Sequence, residues 1–494
     1  MTPRSGLDIL GRPGSAAPAP GTPSSGGRAG EEGLFTVSFV TLGCAKNVVD
    51  SEKALGALAR DGFRLSDDPE DADLIVVNTC GFIEDAREES VDEILRMAEL
   101  KRTGRPKRLV VAGCLSVRCM EELRAELPEV DRFTGLVDPE EMRALARSAA
   151  EAEGRAPTSC EVPGQGGPAP RMVTTPKHYA WLKIAEGCSN PCTFCAIPIM
   201  RGPIRSSDPE DLLAEARQLT AGGARELIIV AQDTTHYGVD LTDRPKSERP
   251  GLGGLIRRLG TEVEGLAWLR LMYAYPAHVT DDLLEAVATT PKVVPYVDIP
   301  VQHASERMLK AMRRTIGASE QRDLLARMRE RIPGLALRTS VITGFPGETD
   351  RDVAELIDFV REVRFERLGV FTYSPEEGTP ASGMAGEVPR EEAERRKEAV
   401  MEAQREIAVE HNRALTGAAV EVMVEEVLED LPPFRWLGRT PWDAPEVDQG
   451  IYLEMPSGED AETRRLEPGD RVRAEVVGST DFDLEGVLLP EPPR

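Results

Sequence analysis

No stretch of the 494-residue sequence approaches the roughly 18 consecutive apolar residues of a membrane span, and the N-terminus lacks the charged, then apolar, then small-residue order of a secretory signal. The expected compartment is therefore the cytoplasm. Basic residues are also in short supply: 60 Lys+Arg face 85 Asp+Glu, a formal net charge of −25. That balance excludes a generic affinity for nucleic acid, because phosphate binding draws on clustered Lys and Arg. A macromolecular partner is expected to be basic. Self-similarity at solenoid periods is missing too. At roughly 100 to 200 residues per domain, the length predicts two to four domains, each large enough to bury its own core.

Against these absences stand eight cysteines, at positions 44, 80, 114, 119, 160, 188, 192 and 195. A cytosolic chain keeps its thiols reduced, so metal binding or redox chemistry is the first question they raise.

Composition divides the chain. Residues 1–33 are dominated by Gly, Pro, Ser and Ala, too apolar-poor to offset ordering entropy, and read as a disordered N-terminal extension. Residues 151–176 repeat that composition and read as a linker, with the lone Cys160 incidental to it. In residues 34–150, VSFVTLGC, DLIVVNTC and RLVVAGC read as buried parallel strands joined by amphipathic helices, an α/β class with a doubly wound sheet. Six further strand and helix units fill residues 177–412, from YAWLKIA to LGVFTYS, and predict a partial (β/α)6 barrel with its active site at the C-terminal strand ends. A long charged helix, roughly Arg390 to Leu415, follows. Residues 413–490 switch to short β-like runs that fit a small all-β barrel.

EGCSNPCTFCAIPIMRG sets Cys188, Cys192 and Cys195 at C-x3-C-x2-C spacing just after a strand. Three thiolates in one tight loop can each reach a different iron of a cubane cluster, leaving the fourth iron without a protein ligand. Such an iron could chelate the amino and carboxylate groups of S-adenosylmethionine and deliver an electron to its sulfonium. A zinc knuckle with a distant fourth ligand, or three unligated thiols, is the competing reading. Cys44, Cys80 and Cys114 form a second set: separated by 36 and 34 residues, they end the three strands of the first domain, where a parallel sheet gathers its ligand-binding crevice. Three buried cysteines acting as small hydrophobes are the alternative there. Cys119, within a helix, reads as packing.

Together these two cysteine sets resemble the methylthiotransferase branch of the radical S-adenosylmethionine enzymes, over about residues 35 to 490. TLGCAKNVVDSE, NTCGFI and the radical loop carry the resemblance, and the C-terminal module resembles a TRAM domain, an OB-like barrel. AQDTTHYG, YAYP, DIPVQHAS, GFPGET, YSPEEGTPA and GRTPWDAPEVD are similar to the members that act on ribosomal protein uS12 rather than to those that modify tRNA adenosine. Ala45, Cys119, Ser207 and Gln449 depart from the residues usual there, and none is a presumed ligand. The resemblance implies that Cys188, Cys192 and Cys195 hold the 4Fe-4S cluster that cleaves S-adenosylmethionine. It implies that Cys44, Cys80 and Cys114 hold an auxiliary 4Fe-4S cluster that carries the transferred sulfur. The implied product is uS12 with a methylthio group on the β-carbon of one aspartate, 3-methylthioaspartate. Electrons would come from a donor such as flavodoxin or ferredoxin, and sulfur from a separate source.

Gln232 and Asp233 end one barrel strand and either meet a barrel ligand or cap the turn. Gly344, Pro346 and Gly347 end another, where glycine permits close approach to a bound nucleoside or simply makes a turn. His303 reads as structural rather than as a substrate contact. From Arg413 to Arg494, 8 Arg face 19 acidic residues, a net −11 that suits a basic ribosomal protein better than RNA. Phe434, Trp436 and the DAPEVD segment are accordingly expected to help dock uS12, and reversing Glu446 and Asp448 to lysine to weaken that docking.

Overall fold

Six-residue runs rich in Val, Ile and Leu are buried on both faces only when helices cover both sides of a parallel sheet. The first domain is built this way in the computed structural model, which describes residues 34–104, 106–155, 171–242, 249–456 and 465–490. The extension at 1–33, Cys160 and the middle of the expected linker lie outside the described residues. The order is Thr36–Thr41 (β1), Ala45–Arg60 (α1), Arg64–Leu65 (β2), Leu74–Thr79 (β3), Glu84–Thr103 (α2), Arg108–Gly113 (β4), Cys114–Glu126 (α3), Arg132–Phe133 (β5) and Pro139–Ala152 (α4). The strands pair in parallel in the order β2-β1-β3-β4-β5. The two-residue strands β2 and β5 carry no apolar run, so the sequence shows only the three central ones. One core joins Ala54 and Leu58 of α1 to Met142 and Ala146 of α4; the opposite face packs Ile94 and Met97 of α2 and Leu123 of α3. Cys119 lies against this second core, at a kink in α3.

The chain divides into two compact units, and the division departs from a simple reading of composition in two places. Ala196–Pro203, which includes a short helix, Ile197–Arg201 (α5), is folded into the first unit although it directly follows the cysteine loop. Residues 171–174, expected as linker, are fixed there too: Arg171 pairs with the buried Glu52, which also accepts from Thr174 N at 2.6 Å.

The second unit holds Tyr179–Lys183 (β6), Ala185–Glu186 (β7), Arg205–Ser206 (β8), Pro209–Ala221 (α6), Glu226–Val230 (β9), Leu252–Glu262 (α7), Trp268–Leu271 (β10), Asp281–Thr289 (α8), Val293–Asp298 (β11), Glu306–Ala311 (α9), Ala318–Arg331 (α10), Ala336–Thr343 (β12), Asp350–Val363 (α11), Arg367–Thr372 (β13) and Arg390–Ala414 (α12). Its six long strands form one parallel sheet in sequential order, β6-β9-β10-β11-β12-β13, the expected partial barrel. β7 and β8 pair as a small antiparallel ribbon. Ala419–Val427 (β14), Trp436–Arg439 (β15), Ile451–Glu454 (β16), Arg471–Ser479 (β17) and Leu484–Leu488 (β18) then close a five-stranded barrel.

Acids of the segment expected to dock a partner also pair inside this unit, although Glu446 stays exposed. Asp448 accepts from Tyr296 Oη at 2.6 Å and from Arg338 at 3.2 Å, Asp443 pairs with the buried Arg367 at 2.5 Å, and Glu446 accepts from Tyr179 Oη at 2.5 Å. Trp436 lies in the core of the small barrel, and Phe434 packs on Tyr452. Charge counting missed this because the guanidiniums that match these acids come from the starts and middles of the parallel strands, far away in sequence. Lysine at 446 and 448 would break internal pairs before it touched a partner.

At the centre of the same contact, fully buried Glu226 accepts from Arg270 and from Arg439, each at 2.6 Å. Glu226→Ala strands two buried guanidiniums, so a loss of about 3–5 kcal/mol is expected, read as a fall in the urea midpoint. Burial raises the Glu226 pKa, but Arg270 and Arg439 outweigh it and hold the carboxyl below its ordinary value. Its stabilisation is therefore present above the unfolded value of about 4.3 and lost as pH falls through the folded one.

Candidate functional site

The cysteine loop leaves β7 at Gly187, whose φ of +76° reverses the chain and brings the buried Cys188 to the C-terminal ends of the parallel strands. Asn190, one of the loop's own residues, points its amide at 3.4 Å to Cys188 Sγ and at 2.7 Å to Asp233 Oδ2. Cys195 N donates to Cys192 O at 3.3 Å, which curls the loop. Arg314 Nη1 approaches Cys192 Sγ at 3.5 Å while Nη2 donates to Pro300 O at 2.9 Å, and its guanidinium stacks 4.0 Å over the Tyr275 ring. Burial pushes the Cys188 thiol up, helped by the nearby Asp233 and Cys192 and opposed by hydrogen bonds from Asn190.

Asp233 is the hub of this mouth. It accepts from Asn190, from Thr235 Oγ1 at 2.6 Å, from His236 N at 3.2 Å, and meets His278 Nδ1 at 2.9 Å. Burial raises its pKa, but the bonds from His278, Thr235 and Asn190 prevail and keep it ionised below the usual range. The His236 and His278 rings stack at 4.2 Å. Gln232, beside it, donates to Glu186 at 3.2 Å while its Oε1 is buried without a partner. His236 Nδ1, Arg314 Nε and Tyr373 Oη are likewise buried and unpaired around the strand ends. Polar atoms in that state call for a ligand, since each costs roughly 1–3 kcal/mol unmatched. Tyr273 and Gln302, at φ +59° and +72°, add backbone strain at the same strand ends, where strained residues commonly mark function.

Not every expected residue faces this opening. Gly344 has φ +76°, yet a Cβ there would lie 2.4 Å from Ala393 Cβ, so its freedom serves the packing of α12. Pro346 is buried, and Gly347 N donates to Gly386 O at 2.6 Å. The GFPGE turn is thus held by α12 at Gly344 and by the Gly386 backbone at Gly347. His303 is fully buried, its Nδ1 accepting from Ala304 N and Ser305 N and its Nε2 3.3 Å from Glu348, which is the structural role expected.

In the first unit the other three cysteines converge. Cys44 precedes α1, Cys80 directly follows β3 and Cys114 opens α3 directly after β4. In the order β2-β1-β3-β4-β5 the connections diverge between β1 and β3, the switch point at which such sheets bind ligands, and Cys44 and Cys80 flank it. Gly43, at φ +87°, passes so close that a Cβ would sit 2.8 Å from Cys80 Sγ. Asn47 ties the two strand ends together, donating to Leu42 O at 2.8 Å and Thr79 O at 3.1 Å. Burial raises the Cys44 thiol, but Lys46 and Arg201 outweigh it and leave it below the ordinary value. Cys80 is pushed up to about 12 by burial and by Cys44 and Cys114. Three thiols that feel one another's charge in a ligand crevice can share one polynuclear centre.

Sequence reasoning did not single out Asn190, Arg314, Tyr275, Asn47 or Arg201. Asn190 and Arg201 sit within or just after the cysteine loop and were within reach of a closer reading; Arg314 and Tyr275 are brought in only by the fold.

Family comparisons agree with these divisions. Residues 36–135 match the uncharacterized protein family UPF0004, 182–360 the radical SAM superfamily and 416–489 the TRAM domain. The chain is 46% identical over 458 residues, covering 92% of it and 93% of the relative, to "Ribosomal protein uS12 methylthiotransferase RimO" of Anaeromyxobacter sp. (strain Fw109-5). It is 45% identical over 463 residues to the protein of that name from Trichlorobacter lovleyi, covering 92% of the chain and 98% of the relative. In fold it is similar to the radical S-adenosylmethionine methyltransferase TsrM of Kitasatospora setae, with a TM-score of 0.51 at 15% identity over 78% of this chain and 79% of that one.

Proposed function

Because the chain belongs to the RimO family of ribosomal protein uS12 methylthiotransferases, we propose that Cys188, Cys192 and Cys195 hold one 4Fe-4S cluster and Cys44, Cys80 and Cys114 a second. The protein is a radical S-adenosylmethionine methylthiotransferase that acts on uS12, with two 4Fe-4S clusters and S-adenosylmethionine as its cofactors. The observation that carries the site assignment is that each cysteine triplet stands at the C-terminal ends of a parallel sheet, where such folds bind ligands.

The residues present fit both groups. None of the six cysteines is tied up in a disulfide, and the mouth of the second unit leaves Gln232 Oε1, His236 Nδ1 and Tyr373 Oη buried and unmatched, as a polar cofactor would require. When bound, the radical cluster and S-adenosylmethionine supply reductive chemistry able to attack an unactivated C–H bond, which no side chain of ordinary pKa can deprotonate. The protein's own part is to hold and orient. Asn190 fixes the cysteine loop against Asp233; Asp233 fixes His278 and, through the backbone, His236; Arg314 places a positive charge beside Cys192 while the Tyr275 ring shields its face from water.

On this reading the modified position is the β-carbon of an aspartate of uS12, giving 3-methylthioaspartate. No side chain supplies the electrons or the sulfur, so a small carrier of the flavodoxin or ferredoxin type and a separate sulfur source are required. No helix among the described residues is long and apolar enough to cross a membrane, and a ribosomal substrate supports the cytoplasm as the compartment. The acidic excess of the C-terminal module that is not paired internally favours a basic protein over RNA as the partner.

Mass spectrometry of uS12 and of tRNA from a strain lacking the gene tests the assignment. Loss of a methylthio group from a uS12 aspartate is expected, with tRNA adenosines unchanged. Intact uS12 alongside a missing methylthio group on an adenosine would move the enzyme to the tRNA-modifying branch.

A further inference from the structure

Arg201 ends α5, and its guanidinium is buried in the crevice of the first unit, 1% exposed. Nε donates to Cys114 Sγ at 3.3 Å, Nη1 to Asp50 at 3.3 Å and Nη2 to Asn47 Oδ1 at 2.5 Å. Asn47 is itself fixed to the ends of β1 and β3 by its bonds to Leu42 O and Thr79 O, so the fork has little freedom to turn away. Ala196 and Met200 pack against Cys114 and pin α5 in place, and Gly202, at φ +71°, ends the helix directly after the arginine.

Burying a guanidinium costs several kcal/mol unless it is well paired. A purely structural arginine would be expected to face carboxylates; among this one's bonds is a direct one to a cysteine sulfur.

We propose that Arg201 is a positioning residue of the auxiliary centre, which donates to Cys114 Sγ and sets a buried positive charge beside it, and so raises the reduction potential of the cluster the three cysteines hold. This rests on the reading that Cys44, Cys80 and Cys114 ligate that cluster. A cluster gains negative charge on reduction. Hydrogen bonds to its sulfurs and a fixed cation nearby therefore stabilise the reduced form more than the oxidised one. Asp50 works against this: its carboxylate offsets part of the guanidinium charge without touching sulfur.

The test uses the full-length chain with Cys188, Cys192 and Cys195 replaced by alanine, reconstituted anaerobically with iron and sulfide, so that only the auxiliary centre is read. Its midpoint is measured by a redox titration followed by electron paramagnetic resonance. Arg201→Met is expected to shift the one-electron equilibrium at least tenfold toward the oxidised form, a fall of about 59 mV. Arg201→Lys, which keeps the charge but loses the fork, should recover part of it. Asp50→Asn should move the midpoint the other way. A midpoint unchanged in Arg201→Met overturns the proposal. Should that variant not fold or load, Asp50→Asn decides alone, since it keeps the guanidinium; an unchanged or lowered midpoint there overturns the proposal equally. A parent chain that binds no iron overturns the cluster reading itself, a result distinct from a loaded parent whose midpoint ignores Arg201.

Discussion

Alanine at Cys188, Cys192 and Cys195 together is expected to abolish formation of 5'-deoxyadenosine and to lower the iron content from about eight per chain to about four. The size of the effect follows from the loss of all three loop thiolates at once. Asn190 is committed to Cys188 and Asp233, and Asp233 to Asn190, Thr235, His236 and His278, so neither is open to stand in for a thiolate. Losing a thiolate removes an iron ligand rather than weakening one. Anaerobic iron and sulfide analysis with chromatographic detection of 5'-deoxyadenosine reads both quantities in the same preparation. Persistent cleavage would mean that the loop is not the site of the radical cluster; one or two zincs in place of the irons would mean that neither triplet is.

The fold was legible wherever a segment's own pattern decides its state. The runs LIVVNT and RLVVAG can be buried on both faces only in a covered parallel sheet, and both are central strands. The cysteines were legible for a related reason: their spacing equals that of the βα units, so equivalence along the chain became convergence in space. What the sequence could not show was which charges meet. Glu446 and Asp448 look like a solvated acidic surface, and only the fold sets them against Tyr179, Tyr296 and Arg338. Gly344 permits close approach, and the sequence does not show that one group approaching it is Ala393, some fifty residues on. Arg201 lay in plain view within IPIMRG, yet a lone arginine ending a five-residue helix has no signature until Asn47, Asp50 and Cys114 are placed around it.

Alanine at Cys44, Cys80 and Cys114 should have the opposite profile: about four irons again, 5'-deoxyadenosine still formed, and no methylthio group on uS12. Cleavage survives because the loop, its asparagine and the Asp233 hub lie in the second unit and depend on none of the three residues removed. Transfer fails because the crevice flanked by Cys44 and Cys80 loses every sulfur that could hold a polynuclear centre. A stability cost comes with it. Lys46 and Arg201 are buried beside those sulfurs, and removing the thiols takes away the acceptor that Cys114 offers the buried Arg201 guanidinium. The first unit should therefore unfold at lower urea than the parent chain treated identically. Mass spectrometry of uS12 and assay of 5'-deoxyadenosine on one preparation separate the functions. Methylthio transfer that continued without these cysteines would show that the sulfur is delivered elsewhere, whereas loss of both activities would overturn the assignment of separate functions to the two triplets.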